Sequence, residues 1–156
     1  MALIHLTSFI QAPVERVFDL SRNIDLHKKS MAESQEEAIA GTTSGLIQLG
    51  ETVTWKGKHL AKTRFHKSRI SELKAPTFFV DEMVEGDFRS YKHEHHFKQV
   101  ENGTIVIDLV NYEIPYGPIG RLVNRFYLHK YLIKLLETRN LMIKQIAESD
   151  RWRQFL

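Results

Sequence analysis

The sequence contains no cysteine. That absence excludes a disulfide scaffold, thiol catalysis and any cysteine-ligated zinc or iron–sulfur centre. It suits a reducing compartment, and a cytoplasmic location is the expectation. Proline occurs only four times, so each one punctuates the chain and none builds a proline-rich tract. No apolar run approaches the ~18–20 residues of a membrane-spanning helix, so no stable membrane insertion is expected. The opening stretch, MALIHLTSFIQAPVERVF, has neither the basic start nor the small-residue cleavage site of a secretion signal. Charge of one sign is not in excess either. Lys and Arg number 22 against 19 Asp and Glu, leaving +3, which is not the concentrated charge of a nucleic-acid binder.

What remains is a chain of 156 residues, 42% hydrophobic and 26% charged, the size and composition of one globular domain spanning residues 1–156. Eight histidines are the unusual feature. Residues 2–10 read as a strand. Pro13 then opens a helix with Val14, Val17 and Phe18 on one face, and Asn23 and Asp25 restart a second short helix through Lys29. A weak strand follows at 37–40, with a loop around Gly41–Gly45. From Leu49 the period changes to two. ETVTWK at 51–56 places Val53 and Trp55 on one face, and Gly57-Lys58 is expected to turn the chain into a strand from His59 to Leu73. Further strands are expected at 77–85, 88–100 and 104–114, the last two joined at Asn102-Gly103. Pro115 and Gly117-Pro118 end the sheet, and a long helix is expected from about Ile119 to Ser149.

Six to seven antiparallel strands need a cover, and one long helix is the only large one available. The expected fold is therefore α+β: a curved antiparallel sheet gripping a long C-terminal helix, with two short helices after the first strand. The segments FIQAPVERVFDL, VTWKGKHL, FFVDEMVEGDFRSYKHEHHF and GTIVIDLVNYEIPYGPIG, followed by the final helix, resemble the START-like helix-grip superfamily, also called SRPBCC. That superfamily includes the birch-pollen-allergen fold and polyketide cyclases. The block from Phe79 to Phe97 resembles a bacterial subgroup, some of whose relatives join this domain to an epimerase-like domain labelled a cell-division inhibitor. The second domain is not found here. The resemblance implies a hydrophobic ligand cavity and no particular reaction.

Alternation puts Tyr91, His93, His95 and Phe97 on the inner face of one strand, with Ser90, Lys92, Glu94, His96 and Lys98 outside. Phe79, Asp81 and Met83 are placed inward on the preceding strand, although Val80 and Val84 leave its phase open. On the long helix Leu128, Leu132, Leu135, Met142 and Ile146 share a stripe, and Arg139 stands in its middle. A buried guanidinium needs an acid, and Asp81 or Asp108 are the candidates. Arg139 then either fixes the helix to the sheet as an ion pair, the reading placed first, or holds a ligand headgroup. His93 and His95 line the cavity, act as an acid–base pair with Asp81, or bind metal with His59, His66 or an Asp as the third ligand. Metal is the weakest reading, because HEHH on a strand is not a helical metal motif. No cofactor is therefore expected. His5, His27 and His129 read as surface or packing positions.

The expected activity is binding of a hydrophobic small molecule, such as a lipid, quinone, isoprenoid or polyketide, rather than turnover. The alternative is a cyclase, dehydratase or hydrolase that uses His93 or His95 with Asp81. Under the resemblance the ligand-contacting set is Trp55, Phe65, Phe79, Asp81, Met83, Tyr91, His93, His95, Phe97, Asp108, Tyr112, Leu132, Leu135, Leu136 and Arg139. The oligomeric state is left open by the sequence.

Overall fold

The structure is a computed structural model describing all 156 residues. Strand β1 (Ala2–Ile10) leads into helices α1 (Val14–Ser21) and α2 (Ile24–Ser30). The strands β2 (Glu37–Gly41), β3 (Thr52–His59), β4 (Lys62–Lys74), β5 (Phe78–Glu85), β6 (Ser90–Val100) and β7 (Gly103–Glu113) follow. Helix α3 (Gly117–Val123), a π-helical turn at Asn124–Leu128 and helix α4 (His129–Ala147) complete the main elements. The seven strands form one antiparallel sheet in the order β1-β7-β6-β5-β4-β3-β2. Only β1 leaves sequence order, joining the last strand. Register shifts in β4 at Lys67/Ser68 and Ile70/Glu72, and in β2 at Ala38/Ala40, bend these strands. The curved sheet closes around α4 in a helix-grip arrangement.

Three boundaries differ from those expected. Gly57 does not turn the chain: β3 runs through it, and the hairpin turns at Leu60 and Ala61, whose φ angles are 55° and 62°. Two successive left-handed residues match the twist of a two-residue hairpin, although this turn ordinarily selects Asn or Gly. At the β6–β7 turn, Gly103 already pairs with Val100, so the turn centres on Glu101 and Asn102. The long helix starts at Gly117 and contains the π turn.

That π turn has a visible cause. The Tyr112 hydroxyl, on β7, lies 2.6 Å from both Asn124 Oδ1 and His129 Nδ1. The hydroxyl donates to Asn124 and so must accept from His129. Residues five apart diverge by about 140° on an α-helix, and the wider π turn brings them to one side. Tyr112→Phe should release this clamp. We expect amide exchange over 124–130 to quicken roughly tenfold while β6 and β7 amides keep their protection. Uniform acceleration across the molecule would contradict a local clamp.

The interior divides in two. The larger apolar cluster joins α1, α2 and the sheet to the far end of α4, through Phe18, Phe79, Phe97, Val106, Ile143 and Ile146. A smaller one holds Ile4, Val110, Tyr112, Leu132 and Leu136. Along β6, β7 and α4 the same level falls between them, and there the apolar alternation is interrupted by His93 and His95, by Asp108 and by Arg139.

Candidate functional site

A cavity of about 530 Å³ lies between α4 and the concave sheet, within the ordinary range for small-molecule pockets. Twenty of its 37 lining residues are hydrophobic, so burial of apolar surface would dominate any affinity here. Leu132, Leu135 and Leu136 form its helix wall; Trp55, Ile70 and Phe79 belong to its sheet wall.

The polar belt supplies the exception. His93 stands opposite Asp81 in register, and His95 opposite Asp108. Their hydrogen bonds run diagonally instead. His93 Nε2 meets Asp108 Oδ1 at 2.8 Å, and His95 Nε2 meets Asp81 Oδ2 at 2.7 Å. The diagonal choice lets the two imidazoles stack at 3.7 Å with planes 24° apart, and Phe79 extends the stack beyond His95 at 4.0 Å.

Asp108 is wholly buried. Burial alone would raise its carboxyl. The bond from His93, with His95 Nδ1 at 3.4 Å and Arg139 at 3.7 Å, outweighs it and holds the group well below the usual carboxylate range. Asn140 Nδ2 occupies its other oxygen at 2.8 Å. The Arg139 guanidinium donates to Asn140 Oδ1 at 2.9 Å and to the Ser21 carbonyl at 3.2 Å, and lies 3.5 Å from His95 Nδ1. All these partners are protein groups, so its contacts tie α4 to α1 and to the sheet. Of the two acids expected for it, Asp108 is the neighbour, while Asp81 serves His95.

Proton positions follow. Burial, with His95 adjacent, depresses His93 below the ordinary imidazole value despite Asp108, so its ring is neutral at neutral pH. Ionised Asp108 can only accept, so Nε2 carries the hydrogen and Nδ1 is a bare acceptor. Nδ1 has no protein partner, and His93 belongs to the cavity wall. Asp81 is pushed up by burial and down further by His95, His93 and His66, remaining ionised. Its oxygen Oδ1 likewise has no protein partner, nor does the Tyr91 hydroxyl, and both residues line the cavity. The site therefore presents two acceptors and one phenol in apolar surroundings. The side chains of Asp81, His93 and His95 offer donor atoms within 4.8 Å of one another. Two of the imidazole nitrogens are already engaged, His95 Nε2 by Asp81 and His93 Nε2 by Asp108.

Four expected contact residues do not line the cavity. Phe97 is packed against Phe18 in the larger core. Tyr112 spends its hydroxyl on the π turn, Asp108 sits behind His93, and Met83 packs beside Gly86 in the β5–β6 turn. Phe65 reaches only the rim, since it belongs to the outer face of β4 and is 53% exposed.

The sequence reading missed a second polar group on the same cavity. Glu36 receives His27 and His59, each at 3.0 Å, and His59 Nδ1 meets the Tyr131 hydroxyl at 2.7 Å. Burial raises Glu36, but the two histidines outweigh it and bring its carboxyl down to about 2. Of the surface or packing positions expected for His27, packing is what the structure shows, since the ring stacks obliquely on Trp55 at 4.4 Å. With His66, five histidines line the cavity, not two. The overlooked signal was Gly57. A Cβ there would fall 2.7 Å from Glu36 Cγ, and a glycine inside an alternating strand marks such a close approach.

A family model described as polyketide cyclase / dehydrase and lipid transport matches residues 10–137. Among curated proteins none matches the sequence significantly. Among solved structures, the TTHA0849 protein of Thermus thermophilus is similar at a TM-score of 0.76 and 19% identity, over 94% of this chain and 97% of that one. The CV1439 protein of Chromobacterium violaceum gives 0.74 at 10% identity, covering 96% and 99%. Major latex-like protein 151 of Panax ginseng gives 0.67 at 13%, covering 95% and 98%. Identities this low carry the fold alone. No helix of the chain is long and apolar enough to cross a membrane.

Proposed function

Because the chain belongs to the polyketide cyclase, dehydrase and lipid-transport family, we propose that it binds an amphipathic small molecule whose apolar body fills the cavity and whose polar end donates hydrogen bonds to Asp81 and His93. One observation carries this reading: Asp81 and His93 both belong to the wall of a largely apolar chamber, and neither Asp81 Oδ1 nor His93 Nδ1 has a protein hydrogen-bond partner. Acceptors of this kind select alcohols, phenols or enols and reject carboxylates. Tyr91 would donate to a neighbouring ligand oxygen. Arg139, with its bonds turned to the protein, positions the belt rather than holding the headgroup.

A matched pair of probes tests it. Quenching of tryptophan fluorescence, with Trp55 in the wall, should show 2-naphthol binding at least tenfold more tightly than naphthalene, because hydrogen bonds to charged groups are worth ~1.5–3 kcal/mol. Asp81→Leu should erase the difference while leaving naphthalene binding intact. Leu136→Trp, which fills the chamber, should weaken both. Equal affinity of the two probes for the unaltered protein would remove the case for a donor-bearing ligand.

The enzyme reading keeps one specific support. Asp108 engages Nε2 of His93, a residue of the cavity wall, and leaves a neutral nitrogen without a protein partner, which is how a general base is held. If it acts so, a bound enolisable ketone should exchange its α-protons in deuterated water, and His93→Leu should stop the exchange.

A further inference from the structure

Six of the sixteen large hydrophobic residues exposed on this protein fall within one twelve-residue stretch: Tyr116, Ile119, Leu122, Val123, Phe126 and Tyr127, each more than half exposed. Such concentration is unusual on a free surface. It is also not placed at random, for Tyr116, Ile119 and Val123 belong to the cavity wall while remaining exposed. The stretch therefore forms one lip of the cavity mouth. The opposite lip carries Leu60, an exposed leucine at a left-handed position of the β3–β4 turn. Folding favours Asn or Gly there, so the apolar turn tip has no local structural reason.

The charge around the patch has one sign. From Tyr116 to Leu136 there is no acidic residue, while Arg121, Arg125, Lys130 and Lys134 are present. Lys58 and Lys62, both exposed, flank Leu60 on the other lip. Asp87, the acid at the mouth, is neutralised by Arg64 at 2.9 Å. A protein partner of ordinary composition would not explain one-signed charge mixed with Phe, Tyr, Leu and Ile. A bilayer with anionic headgroups does: the apolar and aromatic side chains enter the interface and the basic ones meet the phosphates.

We propose that the face formed by α3, the π turn and the β3–β4 turn docks on anionic lipid bilayers, so that the cavity opens toward lipid rather than water. The small net charge of +3 does not weaken the proposal, because the attraction is local to the mouth and falls off within about 10 Å of it. Docking needs no spanning helix and is reversible by salt.

The 156-residue protein should sediment with phosphatidylcholine vesicles containing phosphatidylglycerol, and much less with phosphatidylcholine alone. Arg121→Glu and Arg125→Glu should each weaken this by roughly fivefold or more, the worth of a basic residue at an anionic surface. In Phe126→Trp the added indole should shift to the blue on vesicles, showing that this residue enters the interface. Phe126→Ser should cost most of the salt-resistant binding. Each variant should still bind naphthalene, which shows that it is folded and separates failure of docking from failure of the cavity reading. Two results would overturn the proposal: no vesicle binding by the unaltered protein, or a stable dimer in sedimentation equilibrium that Phe126→Ser dissolves, making the patch a contact between copies.

Discussion

Asp108→Ala should lower the melting temperature by about 6–20 °C, a loss of ~3–5 kcal/mol in a domain of this size. The expectation follows from what the substitution strands. Asp108 has no exposed surface and is the ionic neighbour of Arg139, itself 5% exposed. It also receives His93 Nε2 and Asn140 Nδ2. Removing it leaves a buried guanidinium without its counter-charge and two buried donors without an acceptor, and unmet desolvation of that kind is among the largest single-site costs. A second comparison separates charge from shape. Asp108→Asn keeps an acceptor for His93 but not the negative charge, and should cost less than alanine. Asp108→Leu combined with Arg139→Leu should cost clearly less than the sum of the two single changes, since the pair then leaves no uncompensated ion. Strict additivity in thermal melts would mean that Arg139 and Asp108 do not act on each other.

How much of this was legible in the sequence depends on the range of the interaction. The alternation of Tyr91, His93, His95 and Phe97 is a period-two pattern along one strand, and burial of His93, His95 and Phe97 follows it. Arg139 interrupts an apolar stripe on one helix, and it is buried as the stripe requires. The superfamily was equally legible, through the resemblance carried by segments such as FIQAPVERVFDL and GTIVIDLVNYEIPYGPIG, and the family match agrees; the narrower bacterial subgroup is not reached by these likenesses. What local pattern could not supply was the pairing between strands. Asp81 faces His93 in register but bonds His95, and nothing along β5 encodes that diagonal. Glu36 sits in an acid-rich run with Glu33 and Glu37, and only the fold selects it, by bringing Gly57, His27 and His59 around it. The turn at Leu60-Ala61 was missed because its residues defy turn preference.

The remaining large effect is acid lability, and its sign can be worked out group by group. Glu36 ionises at about 2 in the folded protein against 4.5 ordinarily. A depressed carboxyl contributes stability above the ordinary value and loses it as pH falls toward the folded one, here about 3 kcal/mol in all. Asp81 and Asp108 are depressed too and act in the same window and direction. His66 and His93 are lowered from 6.5, mainly by burial. For them the unfolded chain takes up protons first as pH falls, so folding begins to weaken near 6.5, before any carboxylate is affected. Nothing in this set compensates, because every one of these groups is depressed. Thermal melts should therefore show a plateau above neutrality, a decline that starts near 6.5 and a steeper fall below about 4.5. His66→Leu should flatten the first part of the decline, since burial and neighbouring charges, not a hydrogen bond, set the His66 value. Glu36→Gln should be less stable than the parent at neutral pH, and the two curves should converge as pH approaches the Glu36 value. A parent curve flat from neutrality down to 4.5 would show that the cavity histidines are not held neutral by burial, and with that the bare acceptor at His93 would be lost.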